Sequence, residues 1–113
     1  MLPIVEYDMQ MITEEPPPVN DQHRAIAGFL SELIEDGATI EAGAGNVVQC
    51  AVSCLTDKRN LGIHSEMFTD ALRLLMEAGA ADGSLKTIFP NRAVANMAFG
   101  SQALYDFIRC IKI

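Results

Sequence analysis

Between residues 38 and 109, short apolar runs alternate with amphipathic stretches, and small turn residues separate them. Ala38-Thr39-Ile40-Glu41-Ala42 reads as a short strand, followed by Gly43-Ala44-Gly45 and a helix from about Val47 to Leu55. Leu61 to Ser65 reads as a second strand, and a helix from about Thr69 to Ala78 stops at Gly79. Val94 to Phe99 makes a third strand, Gly100-Ser101 a turn, and Gln102 to Arg109 a last helix. Strand–helix alternation at this spacing calls for right-handed crossovers and a parallel sheet. The fold class that follows is α/β, a small parallel-stranded sheet flanked by helices.

Two further elements precede this rhythm. Ile4-Val5-Glu6-Tyr7-Asp8 has the composition of an edge strand, and Glu14-Glu15-Pro16-Pro17-Pro18 forbids regular structure and reads as an extended connector. Asn20 or Asp21 caps a helix in which Ile26, Phe29, Leu30, Leu33 and Ile34 recur at one-face spacing. Gly37 is placed to end it in the left-handed conformation. The chain therefore divides into residues 1–19, an N-terminal strand and proline-rich connector, and residues 20–113, an α/β domain.

At 113 residues there is room for one domain. The composition is 50% hydrophobic, high for so small a chain, which points to apolar surface meant for something outside it. A net charge of −7, from 15 acidic and 8 basic residues, argues against nucleic acid, whose phosphates need clustered Lys and Arg. Lys58-Arg59 is the only adjacent basic pair. No apolar run approaches the roughly 20 residues of a membrane span, and the N-terminus lacks the basic start and long apolar core of a signal peptide. A cytoplasmic, reducing setting is expected, with the cysteines as thiols. Cys50 and Cys54 are spaced to share one helix face, but only His23 and His64 could complete a metal site; packing is the expectation, and no metal.

The candidate site lies at the carboxyl ends of the strands, where open α/β sheets keep their chemistry. Gly43-Ala44-Gly45 follows a strand and opens a helix, so its N–H groups could cradle a phosphate. A dinucleotide fingerprint would want a small residue where Val48 stands, although Glu66 lies at the distance of a ribose-binding acid. A plain tight turn, a dinucleotide site and a different ligand all remain open at this point. Glu66 ends the second strand among the apolar neighbours Ile63, Met67 and Phe68, and a carboxylate there could serve as base, ribose ligand or nucleophile. His64 should point away from the face of Ser65 and reads as a packed or capping imidazole. Gly100-Ser101 could approach a ligand; Tyr105 and Phe107 read as core.

These residues also resemble a known family, the acetyl-CoA hydrolase/transferase group and within it the 4-hydroxybutyrate CoA-transferases. The resemblance is carried by Ile4 to Asp8, Pro16-Pro17-Pro18, Leu33 to Thr39, Gly43-Ala44-Gly45, Leu61 to Met67, Ala93 to Ser101 and Leu104-Tyr105-Asp106-Phe107. The segment Gly62-Ile63-His64-Ser65-Glu66-Met67 is its most specific part, and the resemblance runs to about Ile108.

The resemblance implies a chemistry. Glu66 would attack an acyl-CoA thioester, pass through a mixed anhydride and a glutamyl-CoA thioester, and hand CoA to a second small carboxylic acid. Gly43, Ala44, Gly45 and Asn46 would lie along the cleft for CoA, a substrate and not a resident cofactor. Val48 stands where the family has proline, the later glycine-rich loop has no counterpart, and the tail Arg109 to Ile113 departs from the pattern. The chain is thus expected to be a truncated CoA-transferase-like domain, the connector and the start of the C-terminal domain, with little or no activity alone. A truncated sheet leaves an unpaired edge, so a homodimer or higher oligomer is expected. A non-catalytic CoA- or nucleotide-binding module and an oligomeric interaction module are the alternatives.

Overall fold

A computed structural model describes residues 2–16 and 18–111. Pro17 of the triple proline and Lys112-Ile113 of the tail lie outside the described residues. The element order is α1 (Asp21–Leu33), β1 (Thr39–Ile40), α2 (Asn46–Ser53), β2 (Gly62–Phe68), α3 (Asp70–Glu77), β3 (Val94–Ala98) and α4 (Gln102–Cys110). The strands form one sheet in the order β1-β2-β3, all parallel. Each strand is followed by a helix, as the alternation in the sequence required. The helices contact one another in chain order, α1 on α2, α2 on α3 and α3 on α4.

The core is built from the apolar positions of these elements. Leu55, Leu61, Ile63, Leu72, Leu75 and Leu104 are its largest fully buried side chains, each contributing roughly 1.5–3 kcal/mol of transfer free energy. β1 is shorter than the five-residue strand expected, but its pairing is extended at both ends. The Gly62 N–H donates to the Ala38 carbonyl (2.9 Å), and the Ser65 hydroxyl bonds both backbone groups of Ala42.

Three expectations need correction. Residues Ile4 to Asp8 form no strand; they are exposed, and the arm they belong to is held only further along. There the Glu14 N–H donates to the Gly100 carbonyl (2.9 Å) and the Tyr105 hydroxyl donates to the Ile12 carbonyl (2.9 Å). α1 starts as expected: Asn20 and His23 cap each other's backbone N–H groups in a capping box. It ends at Leu33, however, with Ile34 already extended. Gly37 has a left-handed φ of +79°, but it serves the following turn, where its N–H donates to the Arg59 carbonyl.

The third correction concerns the apolar stripe of α1. Only Ala27 is buried, against Cys50 and Ala51 of α2. Ile26, Phe29, Leu30 and Leu33 face outward, Phe29 being 71% and Leu33 78% exposed. The periodicity correctly marked a helix with an apolar face, and no element among the described residues covers that face. β3 presents a similar opening. β2 is its only strand neighbour among the described residues, and a groove of about 640 Å³ runs beside it, lined by Phe68, Met76, Ala95, Met97, Ile108 and Ile111.

At the other end of the sheet, Lys86 is buried, with no carboxylate paired to it among the described residues. Its ammonium donates to the carbonyls of Ile63 (2.8 Å) and Arg92 (2.7 Å), tying β2 to the loop that leads into β3. Gly62 has no side chain because a Cβ there would meet the Lys86 stem and the Thr39 hydroxyl. Burial holds the Lys86 pKa below its ordinary 10.5. The folded state then binds this proton less tightly than the unfolded chain does, so stability rises with pH between the depressed folded value and about 10.5. Measured by urea unfolding, the wild type should gain stability relative to Lys86→Met across that alkaline window. A difference independent of pH would show that burial places no penalty on the ammonium.

Candidate functional site

The site is assembled where β2 and β3 end and α2 begins. Gly45 is the N-cap of α2, with φ +116°, a conformation that suits glycine. The turn is braced by the Gln49 side chain, whose Nε2 donates to the Gly43 carbonyl at 3.2 Å. β1 brings this turn to β2 through one side chain. The Ser65 hydroxyl donates to the Ala42 carbonyl (3.0 Å) and accepts from the Ala42 N–H (3.1 Å). The residue before Gly43 is therefore clamped to the residue before Glu66.

β2 is extended through Phe68, two residues beyond Glu66, so the carboxylate sits within the strand rather than at its last position. The alternation along β2 buries Ile63 and Ser65 and exposes His64 and Glu66. Glu66 and His64 consequently share the open face of the sheet. The ladder sets Ser65 against Ala95 and Met67 against Met97, which places Glu66 level with Asn96. His64 is exposed, its ring 6.3 Å from that of Phe89 and tilted by 56°. This corrects the expectation of a packed or capping imidazole: His64 and Glu66 stay exposed, and on their side of β2 it is Phe68, at the strand's end, that a helix covers, through Phe107 of α4.

A cavity of about 120 Å³ opens at the strand ends, and Ala44, Gly45 and Asn46 all line it, together with Met67 and Thr69. Glu66 does not line it. The glycine turn and the end of β2 thus meet at one crevice, while the Glu66 side chain stands on the other face of the same strand.

One functional-site feature escaped the sequence reading. Gly100-Ser101 approaches a carboxylate, not a ligand. Asp70, the first residue of α3, accepts from the Ser101 N–H (2.8 Å), the Ser101 hydroxyl (2.7 Å) and Arg73 Nε (3.3 Å). Gly100 is required because a Cβ there would collide with Asp70 Oδ2. Ser101 also caps α4 by accepting from the Leu104 N–H. The only available signal was an Asp at the first turn of a helix beside a Gly-Ser strand end, a pattern too common to single out.

The remaining candidates have structural roles. Tyr105 is buried and its hydroxyl holds the Ile12 carbonyl; Phe107 stacks on Phe68 at 6.3 Å. Cys50 is buried, and Cys54 and Cys110 are exposed, all as free thiols. Burial, reinforced by the neighbouring Cys54, raises the Cys50 thiol pKa. Among the described residues no three His, Cys, Asp or Glu side chains are grouped to hold a metal, and no helix is long and apolar enough to cross a membrane.

Comparison with known proteins gives this geometry a family setting. The chain is 38% identical over 105 residues to the 4-hydroxybutyrate coenzyme A transferase of Clostridium kluyveri, covering 93% of this chain and 24% of that protein. It is 35% identical over 105 residues to the succinyl-CoA:cyclohexane-1-carboxylate CoA transferase of Geobacter metallireducens, with the same coverage of 93% and 24%. The crystal structure of 4-hydroxybutyrate CoA-transferase from Porphyromonas gingivalis superposes with a TM-score of 0.79 at 32% identity, over 92% of this chain and 26% of that one. RipA from Yersinia pestis superposes with a TM-score of 0.82 at 27% identity, over 86% and 23%. No family model matches the chain.

The fold is α/β, and by fold and sequence the chain is similar to a segment of CoA transferases. More particularly, it is similar to 4-hydroxybutyrate CoA-transferases, and it spans about a quarter of the length of the curated relatives it matches.

Proposed function

We propose that this chain contributes the nucleophile and one wall of a CoA-transferase site that other polypeptide completes, and that alone it has little or no activity. The observation that carries the reading is an exposed strand carboxylate, Glu66, next in sequence to Ser65, whose hydroxyl ties β2 to Ala42 just before the glycine turn. In the first step a Glu66 carboxylate oxygen attacks the thioester carbonyl carbon and CoA leaves as the thiolate, giving a mixed anhydride. The thiolate then attacks the Glu66 carbonyl, releasing the first acid and leaving a glutamyl-CoA thioester. A second carboxylate repeats these steps in reverse and departs as its CoA ester, restoring Glu66. Water must be kept from both intermediates, and a carboxylate on an open sheet face cannot exclude it. That is the physical reason for expecting inactivity in isolation.

Residues 1–19 are assigned as connector and 20–113 as the partial domain, with CoA, acyl-CoA and small carboxylic acids as ligands and the cytoplasm as location. Gly43, Ala44, Gly45 and Asn46 are assigned to the CoA cleft. The outward stripe of α1 and the open edge of β3 support association, as a homodimer or higher oligomer. Binding of CoA without turnover is the second reading, favoured by the separation of Glu66 from the crevice at Gly45.

Covalent trapping tests the catalytic reading. The chain is incubated with an acyl-CoA, first alone and then with the remaining segments of a relative such as the Clostridium enzyme, and treated with hydroxylamine or borohydride. Peptide mass spectrometry is expected to find Glu66 modified in the complemented sample and scarcely in the isolated chain. An unmodified Glu66 in an assembly that turns over would remove it from the chemistry.

A further inference from the structure

Residues 5–11 carry a pattern that the fold leaves unused. Val5, Tyr7, Met9 and Met11 alternate with Glu6, Asp8 and Gln10, the period-two signature of a strand with one buried face. All seven are exposed and none belongs to a strand; Val5 is 82%, Tyr7 79% and Met9 70% exposed. The chain is fixed just after them. The Ile12 carbonyl is held by Tyr105 of α4, the Glu14 N–H by the Gly100 carbonyl, and Pro16 lines the crevice beside Gly45. Residues 12–16 thus cross the carboxyl ends of the strands from α4 to α2, and the alternating residues project beyond them. The radius of gyration, 15.2 Å against about 13 Å for a compact chain of this length, fits that projection.

β3 offers what such an arm lacks. It is an edge of the sheet, and Val94-Ala95-Asn96-Met97-Ala98 carries neither charge nor proline, the usual guards of an exposed edge. Ala95, Asn96, Met97 and Ala98 all line the groove of about 640 Å³. Successive side chains of a strand point to opposite faces, so a space that touches four in a row runs along the backbone edge and not over one face. Phe68, Ile108 and Ile111 make it apolar. Arg92 is the one charged residue along it among the described residues, opposite in sign to Glu6 and Asp8. None of residues 2–11 lines it. A strand added there would exchange main-chain hydrogen bonds with β3 and set alternate side chains into the groove. Seven residues at about 3.3 Å each span about 23 Å, enough to lie along all five residues of β3 in a neighbouring molecule.

We propose that residues 5–11 of one copy add as a fourth strand to β3 of a second copy, in a reciprocal exchange that closes a dimer. This exchange rests on the association proposed above, to which it adds the segment and the edge. It is independent of the chemistry of Glu66.

Two chains, each with one new cysteine, test it in a Cys54→Ser, Cys110→Ser background that keeps only the buried Cys50 thiol. One carries Tyr7→Cys and the other Asn96→Cys; both positions are exposed, so folding is spared. Mixed and oxidised, they should give a disulfide-linked heterodimer that neither chain gives alone. In sedimentation equilibrium the wild type should show a monomer–dimer balance. Val5→Asp with Tyr7→Asp should raise its dissociation constant by about a hundredfold, and Phe29→Asp on α1 by less than about tenfold. Hydrogen exchange at residues 5–11 should slow as the chain is concentrated. Absence of the mixed disulfide, or a dimer indifferent to the arm substitutions, would overturn the exchange. Protection of residues 5–11 at every concentration would place the arm on its own β3 and overturn it equally. A dimer lost in Phe29→Asp but kept in the arm variant would put the interface on α1, sinking the exchange and sparing the association. A wild type that stays monomeric would sink both.

Discussion

Replacing Asp70 with alanine is expected to destabilise the chain by about 3–5 kcal/mol, the range for removing one partner of a buried charged pair. The side chain is 6% exposed at residue level, and its two oxygens take the Ser101 N–H, the Ser101 hydroxyl and Arg73 Nε. Alanine would strand the buried N–H and hydroxyl of Ser101, each at a cost of about 1–3 kcal/mol. Arg73 would keep its second partner, Glu77, at 2.6 Å, which limits the loss on that side. Domains of this size have about 5–15 kcal/mol in all, so much of the chain should unfold at moderate urea. Asp70→Asn, which retains an acceptor, should lose less, and Gly100→Ala should disturb the same clamp by driving a methyl into Asp70. Urea midpoints followed by circular dichroism check the order. An Asp70→Ala midpoint equal to wild type would show that the clamp contributes no stability.

The second large effect is on chemistry. The chain aligns with 105 residues of the Clostridium transferase, so it can replace that segment in a chimera. The chimera is expected to transfer CoA, because the chain superposes on a segment of a related transferase with a TM-score of 0.79 and so should fit the place of the segment it replaces. Glu66→Gln within it should reduce turnover by about 10⁴–10⁶, comparable to the loss of other catalytic nucleophiles. Glutamine is isosteric and Glu66 is exposed, so folding should be spared. Steady-state rates with acetyl-CoA and butyrate measure the loss, and less than a tenfold decrease would leave Glu66 with no covalent role.

The order and type of the elements were legible from local chemistry. Apolar runs of strand length, helix-period stripes and glycines at the turns specify each piece within a few residues of one another, and the parallel sheet follows from their alternation. The same signals placed Glu66 in an extended segment and the Gly43–Gly45 turn at a helix start. Boundaries were less legible: β1 keeps only two ladder residues because the Ser65 side chain replaces backbone pairing at Ala42. The edge strand at Ile4 to Asp8 failed because a strand needs a neighbour, and none is offered to it here.

Sequence by itself determined which segments coil, which extend and that Glu66 falls within an extended segment, since those depend on neighbours a few residues away. Tertiary structure alone decided that the α1 stripe looks outward, that His64 and Glu66 share an uncovered sheet face, and that Asp70 is gripped by Ser101, 31 residues distant. It likewise left the Thr69 hydroxyl without a partner beside Gly45. Each of these is set by which surfaces meet across the fold, and periodicity records that a face is apolar without recording what will cover it.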